Sequence, residues 1–274
     1  MPPTQPPDPT LVETLVAAIL RWRGAGLLTV GICGAQGSGK STLSAALAER
    51  LIQSGVRVAT LSLDDLYLGR AARRALAAAI HPLFATRGPP GTHDVALGLA
   101  VLDRLARGEP APLPRFDKAA DDRAPEASWP HAPAQCQVLL LEGWCLGARP
   151  ESEQALAAPA NALEANEDAL GHWRRHANAA LAGEYQQLWA QIDHLILLAA
   201  PGWDVVQAWR EQQEAELREK VRTDAPGVMD AGEVARFIQH YERLTRHMLV
   251  DLPGRADVVV RLGEGREVLG VEVG

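Results

Sequence analysis

Short apolar runs separated by longer amphipathic stretches recur along the chain. Runs rich in apolar and β-branched residues predict five strands, over residues 27–33, 56–63, 137–142, 195–200 and 256–262, and a further edge hairpin over 268–273. Apolar positions at helical spacing predict helices over residues 11–22, 44–51 and 94–107, two or three more within 151–191, and helices from 201 and up to 249. Strands that alternate with helices predict one α/β domain with a doubly wound, mainly parallel five-stranded sheet, flanked by helices.

The chain shows no internal repeat and no sharp break in composition after its first residues. Residues 1–9 are rich in proline, which can neither continue a helix nor pair as an inner strand. We therefore predict a disordered lead-in over 1–9 and a single domain over 10–274.

Charge and cysteine content exclude several classes of protein. The net charge is −7 with both signs mixed along the chain, so no basic stripe points to a nucleic acid or a membrane surface as partner. The three cysteines lack C-x-x-C spacing, which favours free thiols in a reducing compartment. No apolar run reaches the roughly 18 residues that a membrane span needs. These features predict a cytoplasmic protein.

A glycine-rich segment directly follows the first predicted strand and precedes a helix. It fits the phosphate-loop pattern G-x-x-x-x-G-K-S/T, in which glycines let successive backbone N–H groups face one anion. Lys40 would reach the β- and γ-phosphates, and the Ser41 hydroxyl would bind Mg²⁺. The alternative is a glycine-rich turn that binds nothing. We predict that a nucleoside triphosphate binds with Mg²⁺, held by Gly34, Ala35, Gln36, Gly37, Ser38, Gly39, Lys40, Ser41 and Thr42.

Carboxylates follow the second and third predicted strands. Ligands of open parallel sheets lie beyond the carboxyl ends of the strands, so Asp64, Asp65 and Glu142 are expected to face the phosphate loop. Asp64 or Asp65 is a candidate for accepting a hydroxyl proton during phosphoryl transfer. The alternative, a helix N-cap or a solvated turn, would suit Asp65. Candidate Mg²⁺ ligands are Ser41, Glu142 and Asp64.

Cations are concentrated in the long segment over residues 81–123, which only the predicted helix over 94–107 interrupts. Each taken alone would be a surface residue, but their cluster favours a small anionic substrate, since planar guanidinium groups bind carboxylates through two bonds. They are Arg87, His93, Arg115, Lys118 and Arg123. Arg210, on the helix after Pro201, is a candidate lid residue that closes over the transferred phosphoryl group. The alternative is surface ion pairing with Glu214 and Arg218 on the same face.

Several motifs taken together resemble a known family. They are Gly-Ala-Gln-Gly-Ser-Gly-Lys-Ser-Thr (34–42), Ser-Leu-Asp-Asp-Leu-Tyr (62–67), His-Pro-Leu-Phe-Ala-Thr-Arg-Gly-Pro-Pro-Gly-Thr-His-Asp (81–94), Pro-Arg-Phe-Asp-Lys (114–118), Leu-Glu-Gly-Trp (141–144) and Trp-Arg-Glu-Gln-Gln-Glu (209–214). The set closely resembles the plant-type D-glycerate 3-kinases and their bacterial and fungal relatives. It resembles uridine kinase, phosphoribulokinase and pantothenate kinase more distantly.

The resemblance implies a P-loop kinase fold with helical insertions and a lid, and it implies roles for matched positions. Asp64 takes the position of the catalytic base, with Asp65 as second choice, beside Lys40 and the lid residue Arg210. Trp209 stands where relatives carry another arginine, and Phe116 replaces a tyrosine on the substrate side. The substrate-binding residues implied are Asp65, Tyr67, Arg87, His93, Asp94, Arg115, Asp117, Lys118 and Arg123.

These observations predict a kinase that transfers the γ-phosphoryl group of Mg·ATP to a hydroxyl of D-glycerate, giving 3-phosphoglycerate. Two alternatives stay open. One is a kinase of another small acceptor, such as a nucleoside or a sugar acid. The other is a nucleotide-dependent switch or metallochaperone GTPase. The sequence argues against it, because it has no Asn-Lys-x-Asp motif for recognising guanine.

Overall fold

A computed structural model gives the backbone of residues 6–220 and 231–274, and the side chains of these residues except 213–220 and 231. In chain order the strands are β1 (Leu28–Gly34), β2 (Val58–Ser62), β3 (Ala111–Pro112), β4 (Phe116–Asp117), β5 (Asp122–Arg123), β6 (His131–Ala132), β7 (Val138–Gly143), β8 (His194–Ala199), β9 (Val258–Leu262) and β10 (Val268–Val273). Within the described residues the α-helices are α1 (Pro9–Trp22), α2 (Lys40–Gln53), α3 (Arg70–Ala79), α4 (Val95–Ala106), α5 (Glu153–Leu156), α6 (Ala162–Glu167), α7 (His172–Ala182), α8 (Glu184–Trp189), α9 (Trp203–Lys220) and α10 (Ala231–Asp251).

The central sheet has six strands in the order β10-β9-β8-β1-β7-β2. All neighbours are parallel except β10, which pairs antiparallel with β9. Every residue of β1 and β7 is buried, as expected for inner strands of a sheet covered on both faces. The predicted doubly wound, mainly parallel α/β fold is confirmed, and residues 268–273 add the edge strand that their pattern predicted.

The first helix begins earlier than its apolar pattern indicated. Pro9 is the first residue of α1, and the Asp8 carboxylate caps it by accepting a bond from the Thr10 amide. Proline suits this position because the first helical N–H has no partner within the helix. Of the predicted lead-in, residues 1–5 lie outside the described part of the chain, and Pro9 belongs to the helix instead.

Residues 151–191 form more helices than predicted. The prediction of two or three helices is wrong, because four short helices, α5 to α8, occupy this stretch. Pro159 lies between α5 and α6, Gly171 adopts φ +74° before α7, and Gly183 separates α7 from α8. These residues interrupt a stretch whose alanine content favours helix throughout.

Helices on both faces of the sheet complete the main core. The helix α1 buries Leu11, Leu15 and Ile19 in the same cluster that contains the inner strands. The three cysteines are buried and free, as their context predicted. Within the described ranges, no helix is both long enough and apolar enough to cross a bilayer.

The strand order brings three strand ends together. Since β7 inserts between β1 and β2, Glu142 pairs in register with Ile32 on one side and Ser62 on the other. The strand β1 runs into the glycine-rich segment, and β2 runs into the 3₁₀ turn Leu63–Leu66, which carries Asp64 and Asp65. The candidate chemistry of all three strands is therefore gathered at one edge of the sheet.

Candidate active site

The glycine-rich segment forms an anion cradle at the start of a helix. Gly37 and Gly39 have φ values of +79° and +89°, a region that side-chain-bearing residues rarely adopt. The helix α2 begins at Lys40 without a side-chain cap, so its positive end is open to a phosphate group. Lys40 is buried and donates through Nζ to the Ala35 carbonyl at 3.0 Å. The Ser38 hydroxyl is also buried, with no hydrogen-bond partner within the described ranges.

A hydroxyl and a carboxylate meet beside this cradle. Ser41 donates through Oγ to Glu142 Oε1 at 2.9 Å, and Glu142 is buried. Mg²⁺ in kinases is held by one or two protein oxygen ligands together with substrate phosphates, and this pair fits that donor set. Across residues 6–220 and 231–274, no group of three or more His, Cys, Asp or Glu side chains forms a self-sufficient metal site.

Both carboxylate oxygens of Asp64 accept hydrogen bonds. Lys118 donates through Nζ to Oδ2 at 2.7 Å, and the buried Tyr67 hydroxyl donates to Oδ1 at 2.7 Å. Burial alone raises the pKa of Asp64, but the Lys118 charge, the two hydrogen bonds and the charge of Lys40 outweigh it and hold the pKa well below its ordinary value. Asp64 is therefore an ionised carboxylate within electrostatic reach of the phosphate-loop lysine.

Asp65 has a different environment from its neighbour. Its Oδ1 accepts the Phe116 amide at 3.1 Å, and its Oδ2 accepts Arg115 Nη1 at 3.3 Å. Burial raises its pKa. Asp65 thus ties the 3₁₀ turn to β4, whereas Asp64 carries the contacts with Lys118 and Tyr67.

Tyr67 and Asp117, both predicted to bind substrate, make structural contacts here. Tyr67 is buried, and its hydroxyl is bonded to Asp64. Asp117 is exposed, and its Oδ1 accepts the amides of Ala119 and Ala120 at 2.9 and 3.1 Å, which closes the turn between β4 and β5. Tyr67 therefore orients Asp64, and Asp117 shapes the turn that carries Lys118.

Three of the predicted cations are each paired with one carboxylate. Lys118 binds Asp64, Arg115 binds Asp65, and Arg123 donates through Nη2 to Asp94 Oδ2 at 3.0 Å. Asp94 also caps α4, as the sequence indicated, by accepting the Leu97 amide at 3.0 Å. These pairs fix the cation-rich segment against the sheet edge.

His93 is not a cation near neutral pH, contrary to the prediction. It is buried, and burial lowers its pKa to about 4. Its Nδ1 lies 2.6 Å from the Tyr185 hydroxyl, which also accepts the Gly91 amide at 2.9 Å. The neutral ring lies against Tyr67, with ring centroids 4.8 Å apart.

Arg87 belongs to a cluster that the sequence did not predict. Arg87 and the buried Arg73 both form ion pairs with Asp121, the latter at 2.8 Å, and Arg70 Nε lies 3.8 Å from the same carboxylate. Burial raises the pKa of Asp121, but the hydrogen bonds from Arg73 and Arg87 outweigh this effect, so the pKa lies below its ordinary value. The Arg87 guanidinium also lies 5.6 Å from the centre of the Phe116 ring.

Arg210 lies on α9, close to α10. Its guanidinium carbon is 5.3 Å from the centre of the Phe237 ring, and its charge contributes to the electrostatic environment of Tyr241. Tyr241 in turn donates to the Arg87 carbonyl at 3.1 Å. Glu214 and Arg218, the alternative partners of Arg210, lie outside the side chains that the structure describes.

Several contributors to the site carry no usable signal in the sequence. Arg73 lies in an alanine-rich helix, a context typical of a surface arginine. It is nevertheless buried, and its guanidinium donates to the carbonyls of Leu68, Ala85 and Asp121. Tyr185 and Tyr241 belong to helices far along the chain from the residues they contact. Only the three-dimensional packing of α8 and α10 places them here.

Comparison with known proteins gives matches over most of the chain. An uncharacterised kinase of Schizosaccharomyces pombe, mug58, is 36% identical over 222 residues, which are 77% of this chain and 77% of the relative. The chloroplastic D-glycerate 3-kinase of Arabidopsis thaliana is 30% identical over 226 residues, which are 78% of this chain but only 46% of that protein. The solved structure of a D-glycerate 3-kinase from Cryptococcus neoformans var. grubii superposes with a TM-score of 0.81 at 26% identity, covering 97% of this chain and all of that one.

A family model also matches part of the chain. The model of the methylmalonyl-CoA mutase-associated GTPase MeaB matches residues 4–66. That segment contains α1, β1, the phosphate loop, α2 and β2, and it is less than a quarter of the 274 residues. It ends before Lys118, Glu142 and Arg210.

Proposed function

Since this chain belongs to the D-glycerate 3-kinase family of P-loop kinases, we propose that it transfers the γ-phosphoryl group of Mg·ATP to D-glycerate and forms 3-phosphoglycerate. The chain is a phosphotransferase with an alcohol group as acceptor. The observation that carries the proposal is the meeting of Lys40, Glu142 and Asp64 at one sheet edge, next to an arginine cluster. Relatives named as glycerate kinases support glycerate as the acceptor.

The phosphate loop and its neighbours account for nucleotide binding. Loop amides and Lys40 would bind the β- and γ-phosphates, and their positive charge would stabilise the charge that develops on the transferred group. Ser41 and Glu142 would hold Mg²⁺, which when bound neutralises phosphate charge. Arg210 would reach the same phosphates from α9.

Asp64 accepts the proton of the attacking hydroxyl in this proposal. Its Oδ1 is held by the buried Tyr67, while its Oδ2 is held by Lys118, whose side chain is 61% exposed. The exposed Lys118 can move without repacking the core, so the acceptor hydroxyl takes its place at Oδ2. The displaced ammonium group stays close enough to interact with the acceptor or with the phosphate.

The Lys118 charge sets the acid side of the pH profile. Lys118→Met removes the largest influence that lowers the pKa of Asp64, while burial, which raises it, remains. The acid limb of kcat/KM is therefore expected at higher pH in the variant than in the wild type, since Asp64 must be ionised to accept a proton. Profiles of both proteins from about pH 3 to 9 measure this shift, with an acid limb expected in the variant and none in the wild type, whose Asp64 pKa lies well below its ordinary value. Profiles that coincide on the acid side would contradict the role given to the pair.

The arginine cluster around Asp121 explains why an acid would be preferred. Three arginines, Arg70, Arg73 and Arg87, face the Asp121 carboxylate. Their three positive charges exceed the two negative charges of Asp121 and the neighbouring Asp122. The charge of Arg87 reaches Lys118 and Tyr67, the two residues bonded to Asp64. A substrate carboxylate at Arg87 would balance the excess charge and leave a hydroxyl near Asp64.

Removing the Arg87 charge should weaken acceptor binding. In Arg87→Met the KM for D-glycerate is expected to rise by about tenfold or more, as a charge-assisted hydrogen bond is lost, while the KM for ATP changes little. Initial rates at varied glycerate and fixed ATP measure the effect. Arg107→Met, which removes an exposed arginine paired with Asp103, is the matched control. Equal glycerate KM values in wild type and Arg87→Met would place the carboxylate elsewhere.

A coupled ADP-release assay with Mg·ATP and a panel of acceptors tests the proposed function. The panel is D-glycerate, L-glycerate, uridine, ribulose 5-phosphate and pantothenate. Release that depends on D-glycerate supports the proposal. Turnover of another acceptor but not of D-glycerate would support a small-molecule kinase and contradict D-glycerate as its substrate. Nucleotide hydrolysis that no acceptor stimulates would favour the switch suggested by the MeaB match, and GTP in place of ATP would then be the next comparison.

A further inference from the structure

The turn between β9 and β10, the last two strands at one edge of the sheet, contacts the phosphate loop that follows the inner strand β1. The turn is closed by hydrogen bonds from the Arg266 amide to the Gly263 carbonyl at 3.0 Å and from the Gly263 amide to the Glu267 carbonyl at 2.8 Å. Arg266 Nε donates to the Gly37 carbonyl at 2.7 Å, across 229 positions of sequence. A residue near the end of the chain thus contacts the centre of the nucleotide-binding loop.

This contact holds one peptide plane of the loop. The Gly37 carbonyl and the Ser38 amide belong to the same planar unit, and the Ser38 amide donates to the Ala35 carbonyl at 3.2 Å. The Ala35 carbonyl also accepts Lys40 Nζ. Arg266 is therefore connected to the phosphate-loop lysine through two peptide units, the Gly37–Ser38 peptide and the peptide that carries the Ala35 carbonyl.

The same arginine holds α9 against the loop. Its guanidinium lies 5.1 Å from the centre of the Trp209 ring, and Nη1 donates to Gln212 Oε1 at 3.0 Å. Trp209 is buried and donates through Nε1 to the Glu264 carbonyl at 2.6 Å. It also packs closely on Gly37, since a Cβ atom added to residue 37 would lie 2.8 Å from the Trp209 Cβ. Arg210, the candidate lid residue, follows Trp209 directly.

The backbone conformation of Arg266 belongs to the hairpin turn. Its φ is +69°, in the left-handed region, which a three-residue hairpin loop places at its last residue. Glycine favours this region, so the turn alone does not require an arginine here. The guanidinium makes the contacts with Gly37, Trp209 and Gln212.

We propose that Arg266 is a positioning residue for the phosphate loop. It fixes the Gly37–Ser38 peptide and seats Trp209 of α9 on the loop, and it thereby keeps the nucleotide-binding arrangement formed before the nucleotide arrives. The inference rests on the proposed function only in that the loop binds Mg·ATP. It does not depend on the identity of the acceptor.

The variant Arg266→Gly tests this directly, because glycine suits a φ of +69° and keeps the turn while removing the guanidinium. Its Kd for Mg·ATP, measured by titration calorimetry without acceptor, is expected to rise about tenfold, as a hydrogen bond from a charged donor is lost. Arg266→Lys keeps one donor for Gly37 and should give an intermediate Kd. The KM for the acceptor should stay unchanged.

The matched control is Arg261→Ala on the same hairpin. Arg261 forms an exposed ion pair with Glu272 across the hairpin, so its removal should leave the Kd for Mg·ATP unchanged. Thermal unfolding of each variant separates positioning from folding. A lowered Tm with an unaltered Kd in Arg266→Gly overturns the inference, as does an unaltered Kd alone. Failure of the wild type to bind Mg·ATP would overturn the proposed function instead, and the inference with it.

Discussion

Asp64→Asn is expected to lower kcat by about 10²–10⁴-fold, the usual contribution of a positioned general base, with little change in the Kd for Mg·ATP. Asparagine has the size of aspartate and can still accept the Tyr67 hydroxyl, so the fold of the 3₁₀ turn is retained. It cannot take up a proton, and it lacks the charge that binds Lys118. Steady-state rates with saturating glycerate and calorimetric titration with Mg·ATP give the two quantities.

Asp65→Asn is the informative comparison for that result. Asp65 anchors Phe116 and Arg115, so its replacement should raise the KM for the acceptor more than it lowers kcat. Asp103→Asn, on the exposed side of α4, should behave as the wild type. Unchanged turnover in Asp64→Asn, or a larger fall in kcat for Asp65→Asn, would remove Asp64 from the mechanism.

Lys40→Met is expected to lower kcat by roughly 10²–10³-fold, the typical cost of losing one preorganised donor to developing charge. Methionine keeps an unbranched apolar stem in the buried site of Lys40 but removes the ammonium group that would bind the β- and γ-phosphates. Binding of Mg·ATP should weaken as well, which distinguishes this variant from Asp64→Asn. Rates at saturating ATP and calorimetric titration with Mg·ATP measure both effects.

Arg50→Met provides the control for Lys40→Met. It also removes a cation from α2, but at the opposite end of the helix, where Arg50 forms an exposed pair with Glu13. Its turnover and ATP affinity should match the wild type. If Lys40→Met retained normal kcat and normal affinity, the glycine-rich segment would not be the phosphate site.

The fold was largely predictable because the sheet strands are continuous apolar runs. Buried strands such as β7 must be apolar on both faces, and the phosphate-loop pattern marks the strand that precedes it. The position of β7 between β1 and β2 could not be read from the sequence, since strand order depends on packing between segments distant along the chain. The prediction gave too few helices within 151–191, because apolar spacing alone does not mark the breaks between α5 and α8.

The sequence located the catalytic candidates better than their environments. Asp64 and Glu142 follow strands, and the carboxyl ends of parallel strands meet at one edge, so their approach to the phosphate loop was expected. The charge state of His93 was not predictable, because its burial depends on Tyr185 and Tyr67. The contact between Arg266 and Gly37 was not predictable either, because the two residues are 229 positions apart in the sequence.

Product identification tests the central claim most directly. The protein is incubated with Mg·ATP and D-glycerate, and the products are assigned by ³¹P and ¹³C NMR. We expect ADP and 3-phosphoglycerate in equal amounts, and no phosphorylated product from L-glycerate. ADP without a phosphorylated glycerate, or a phosphoryl group on the 2-hydroxyl, would contradict the proposed function.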